Sequence, residues 1–127
     1  MRSVFVFPAI ERDDALRRLV RAGVDVDLPV AVSPADRRVL IWATVVDRAD
    51  VDFDLDEVDR AAGLRPTWGL EIAVSGHYPH GRVRELEELT ASLLSDGGCA
   101  TTIEDQVLLT AEEWRARVAR VPVGEQR

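Results

Sequence analysis

Apolar and polar positions alternate in several distinct rhythms along this chain, and those rhythms mark out its elements. Ser3 to Phe7 contains Val-Phe-Val-Phe, a run of strand formers that predicts a short buried strand. Ala15, Leu16, Leu19 and Val20 then fall on one side of a 3.6-residue period. They predict a helix from Asp13 to Ala22, stopped by Gly23. Val24 to Val32 reads as extended, and Pro29 within it points to a sheet edge. Ser33-Pro34-Ala35-Asp36 is expected to be a turn. The apolar, β-branched stretch after it predicts a central strand from Arg38 to Asp47.

Asp54-Leu55-Asp56-Glu57 has the spacing of a capping box, which predicts a short helix from Leu55 to Ala62 ending at Gly63. Thr67 to Ser75 is expected to be a strand and His77 to Gly81 a loop. Val83, Leu86, Leu89, Leu93 and Leu94 form the apolar stripe of a helix from Arg82 to Ser95. Asp96-Gly97-Gly98 ends it. Two short strands follow, Cys99 to Ile103 and Gln106 to Leu109, around a turn at Glu104-Asp105. Thr110-Ala111-Glu112-Glu113 is a second capping box, opening a last helix to Arg120, with a frayed tail from Val123.

The order strand, helix, glycine, two strands, helix describes residues 3–63 and again residues 68–120. These elements together predict one α+β domain spanning residues 1–127. It has a mostly antiparallel sheet with helices packed on one face, and the repeated order suggests a βαββα pseudo-repeat. A chain of 127 residues fits one domain, and 46% hydrophobic content supplies a core.

Charge changes the picture next. The net charge is −7. Residues 1–64 hold 13 acids and 9 arginines, and the remainder 10 acids and 7 arginines, so the acidity is spread over both halves. Nucleic-acid binding is disfavoured, because phosphate affinity needs clustered positive charge. All 16 basic residues are Arg, and Lys and Asn are absent, a usage expected of a high-GC genome. With one cysteine, Cys99, no internal disulfide forms, which fits a cytoplasmic location. The apolar start is too short for a signal peptide and no run approaches the ~20 apolar residues of a membrane span.

The densest feature is acidic. Asp47, Asp50, Asp52, Asp54, Asp56, Glu57 and Asp59 place seven acids in thirteen residues. Such a surface favours a basic partner. Asp50, Asp52 and Asp54 also match the first ligand positions of a calcium loop. The required Gly and final Glu of that loop are Leu55 and Ala61 here, so the motif fails.

Other chemistry lacks a set of partners. His77 and His80 flank Tyr78-Pro79, where proline prevents helical alignment, and no further ligands complete a metal site. Cys99 reads as a buried, inert thiol. No nucleophile elbow surrounds Ser75, and without lysine there is no phosphate-binding Walker loop. No catalytic residue, metal ligand or cofactor is therefore assigned, and the chain reads as a non-enzyme. Trp42, Trp68 and Trp114 are expected to pack in the core, with Trp68 the most exposed and a candidate interface anchor.

One stretch resembles a known group. The strand Leu70 to Gly76, the helix Arg82 to Ser95, Gly97-Gly98, and a short strand pair leading into Leu109-Thr110-Ala111-Glu112-Glu113-Trp114 are similar to a pattern in bacterial polymorphic-toxin immunity proteins. Such proteins are small, cytoplasmic and non-catalytic, and each binds one cognate toxin. The resemblance implies an interaction protein that occludes a basic toxin. Asp50, Asp52, Asp54, Asp56, Asp59 and Trp68 are the candidate contacts from the chain's own charge pattern. The alternative is a small-molecule-binding or enzymatic α+β domain, with a pocket near His77, Tyr78 and His80.

Overall fold

The computed structural model describes residues 2–26, 41–51, 53–74, 83–102 and 106–119. The expected turn at Ser33–Asp36, most of the extended stretch 24–32, Asp52, Ser75, the loop with His77, Tyr78 and His80, the turn at Glu104–Asp105 and the tail from Val123 lie outside them.

In chain order the elements are β1 (Arg2–Pro8), α1 (Arg12–Arg21), β2 (Asp25–Val26), β3 (Ile41–Asp47), a 3-10 turn (Arg48–Asp50), α2 (Leu55–Ala62), β4 (Trp68–Val74), α3 (Val83–Leu93), β5 (Gly98–Thr101), β6 (Leu108–Thr110) and α4 (Ala111–Ala119). The strands form one sheet in the order β2-β3-β4-β1-β5-β6. Every neighbouring pair is antiparallel except β2 and β3, which run parallel. This is the expected α+β class. Its centre is a β-α-β-β-α-β unit, β1-α1-β3-β4-α3-β5, whose strands lie in the order β3-β4-β1-β5. That connectivity is the split β-α-β, ferredoxin-like arrangement.

The alternation of side chains along β1 divides the molecule. Val4 and Val6 join Leu70, Ile72 and Val74 of β4 on one face, all fully buried. Ala15 and Leu19 of α1, Leu86 and Leu93 of α3, and Ala111 and Trp114 of α4 cover that face. Phe5 and Phe7 point the other way. There they meet Val58 and Ala62 of α2 and Cys99 of β5 in a second, smaller cluster. The Phe53 ring meets Phe5 at 5.0 Å and Phe7 at 6.3 Å, both edge to face. Among the described residues α1, α3 and α4 thus share one face, as expected, while α2 departs from that expectation and lies on the opposite one. The cause is the phenylalanine pair in β1, which gives the second face an apolar patch to bury.

Two expectations about strands and symmetry change in detail. The strand ending at Asp47 was expected at the centre. Among the described residues it lies next to the edge, flanked outside by the two residues of β2. Most of its side chains are accordingly half-buried. Among the described residues the element order repeats between the halves, but β2 and β3 pair in parallel where β5 and β6 pair antiparallel. Their closing helices, α2 and α4, also occupy opposite faces.

Candidate functional site

The acidic segment is built from the end of β3 to α2. The 3-10 turn Arg48–Asp50 reverses the chain. Val51 and Phe53 then turn inward onto the second cluster. Asp50, Asp54, Asp56 and Glu57 remain exposed. Alternation of this kind sorts the segment: apolar residues anchor it and carboxylates are left on the solvent side.

Asp54 caps α2. Its Oδ1 accepts from the Asp56 backbone N–H at 2.9 Å. The reciprocal bond expected from Glu57 is not formed among the described residues, so the box is a simple cap. Gly63 closes the helix at φ 73°, a left-handed conformation that glycine adopts without a Cβ penalty.

Asp59 serves another purpose. The Arg48 guanidinium donates to both its carboxylate oxygens, at 2.7 and 2.9 Å, and to the Pro66 carbonyl at 3.0 Å. This fork ties the 3-10 turn to α2 and to the segment entering β4. The hydrogen bond from Arg48 holds the Asp59 carboxyl below its ordinary range, against the opposing effect of desolvation. Of the predicted contact residues, Asp50, Asp54 and Asp56 are presented to solvent and Asp59 is engaged in the fold. Trp68 is half-buried against the main core, on the face away from α2, so the structure does not join it to the acidic helix.

Sequence reasoning missed Arg48 as the organiser of this segment. The signal was a lone arginine among seven acids. Its partner sits 11 residues on, a spacing that no local rule connects.

Cys99 lies beneath the same helix, fully buried, with its thiol 3.7 Å from the Val58 carbonyl. Burial pushes the thiol up to about 12, with the Asp59 carboxylate adding to the effect. A thiol so placed holds its proton at neutral pH. Alkylation of Cys99 by iodoacetamide at pH 8 is therefore expected only through opening of the α2 cluster. The rate should rise by several orders of magnitude in denaturant. Fast labelling of the folded protein would contradict this placement.

Among the described residues no group of three or more His, Cys, Asp or Glu side chains is arranged to hold a metal ion. None of their helices is long and apolar enough to cross a membrane. Comparison with protein-family models, curated proteins and solved structures returns no match. The likeness of residues 68–114 to immunity proteins therefore rests on the sequence pattern alone.

Proposed function

We propose that this chain is a cytoplasmic interaction protein that binds a basic protein, in the manner of an immunity protein occluding a toxin, through the acidic segment from Asp50 to Asp59. One observation carries the reading. Asp50, Asp54, Asp56 and Glu57 are all exposed on a segment whose apolar residues and Arg48–Asp59 fork anchor it firmly to the sheet. A pre-organised acidic surface costs little ordering on binding. It also attracts a cationic partner over long range and speeds its encounter.

The test is capture from a source-cell lysate by the tagged protein, at low and high salt, followed by kinetics on the purified pair. A basic partner is expected, with an association rate that falls at least about tenfold as salt screens the acidic surface. Replacing Asp50, Asp56 and Glu57 together with Ser spares both the Asp54 cap and the Asp59 fork. That variant should slow association comparably while its melting temperature stays within a few degrees of the parent. Unchanged association by the triple variant would remove this site from consideration.

A further inference from the structure

On the opposite side of the sheet, α1 carries an exposed stripe of mixed apolar and charged residues. Leu16, Arg17, Val20 and Arg21 line a shallow groove. Val20, at 59% exposed, is the most exposed of the large apolar side chains among the described residues. Helical spacing places Asp13 on the same stripe, three and four residues before Leu16 and Arg17 and seven before Val20. From the N-terminus of α1 to its C-terminus the stripe therefore reads Asp13, then Leu16 and Arg17, then Val20 and Arg21.

Asp14 is occupied within the helix by Arg17 and Arg18, and Arg18 reaches across to the Ser92 carbonyl and Ser95 hydroxyl. Asp13 and Arg21 are both exposed, and neither has an ion-pair partner among the described residues. Eight residues separate them, about 12 Å along the helix, too far to meet each other.

We propose that this stripe is a self-complementary interface, and that two copies of the chain pair through antiparallel α1 helices about a two-fold axis. Antiparallel pairing brings Asp13 of each copy to Arg21 of the other and seats the two Leu16–Val20 ridges together, with the two Arg17 side chains, each paired to its own Asp14, beside the axis. An isologous contact uses every pair twice, which is why two-fold dimers are the commonest assemblies. Opposed helices also set their dipoles head to tail. The contact is confined to one ten-residue helix and is smaller than the roughly 800 Å² per partner of a standard interface. The dimer is accordingly expected at a dissociation constant on the order of 10–100 µM. The acidic segment lies across the sheet, so this pairing is independent of the proposed partner site.

Sedimentation velocity of the full chain across roughly 1–500 µM, near physiological ionic strength, tests the proposal. Val20→Asp should raise the dimer dissociation constant at least about tenfold, with Val20→Ser giving a smaller loss in the same direction. Asp13→Arg and Arg21→Asp should each be weakened alone. An equimolar mixture of those two variants restores both cross-pairs and should form a heterodimer close to the parent in affinity. Circular dichroism of each variant monitors the fold, and Val20 is exposed enough that its replacement leaves the core untouched. A parent that stays monomeric throughout, a dimer indifferent to Val20→Asp, or a mixture no tighter than its components would each overturn the pairing.

Discussion

Replacing Gly98 with alanine is expected to cost about 4 kcal/mol or more and to lower the melting temperature by more than about 10 °C. Gly98 opens β5 and pairs with Pro8 at the end of β1. Its φ is +101°, and an added Cβ would overlap the Phe7 carbonyl oxygen and lie 2.9 Å from the Pro8 Cα. Both are backbone atoms of a buried strand, so neither can move without dragging the sheet. Gly97 provides the control. Its φ is also positive, at +114°, but its Cβ would meet only Ala9 at an ordinary 3.6 Å. Gly97→Ala should therefore cost backbone strain alone, about 1–3 kcal/mol. Urea unfolding of both variants measures the difference. Equal losses would show that the close approach of β5 to β1 is not what requires glycine at 98.

Trp114→Ala is expected to lose about 3–5 kcal/mol. The indole is 1% exposed in the main core and its Nε1 donates to the Ala100 carbonyl at 3.1 Å. It joins α4 to β5 through both packing and a buried hydrogen bond. Truncation opens a cavity between them and removes that hydrogen bond. Trp114→Phe retains most of the ring volume but not the donor, and should fall between the parent and alanine. Denaturant unfolding followed by circular dichroism reads the series. A loss under about 1 kcal/mol for alanine would mean that α4 contributes little to the fold.

Much of this architecture was written in local pattern. The helix from Leu55 to Ala62 was expected with those limits and is observed with them. The box at Thr110 forms in full: Thr110 N–H donates to Glu113 Oε1 at 2.9 Å, and Glu113 N–H to Thr110 Oγ1 at 3.1 Å. At Asp54 a simple cap forms instead, its Oδ1 accepting from the Asp56 N–H, with no bond to Glu57 among the described residues. The acidic segment was likewise plain from composition. That Asp59 is held in an ion pair while Asp50, Asp56 and Glu57 stay exposed was not, since Arg48 and Asp59 meet only in the folded chain.

Among the described residues the sequence by itself determined which segments are helical or extended, with ends that moved by one or two residues such as Gln106–Leu109 becoming Leu108–Thr110, and which side chains are apolar enough to be buried. Those properties depend on neighbours within about four residues, where periodicity, caps and glycine act. Tertiary structure decided that β1 and β4 form the centre of the sheet, that β2 joins β3 in parallel, and that α2 crosses to the second face. It also decided that Trp68 stands apart from the acidic helix. Each of these depends on contacts between residues far apart in the chain, such as the Phe5 N–H with Thr101 Oγ1 across 96 positions. The free energy of such pairings comes from surfaces that come together only when the chain is folded.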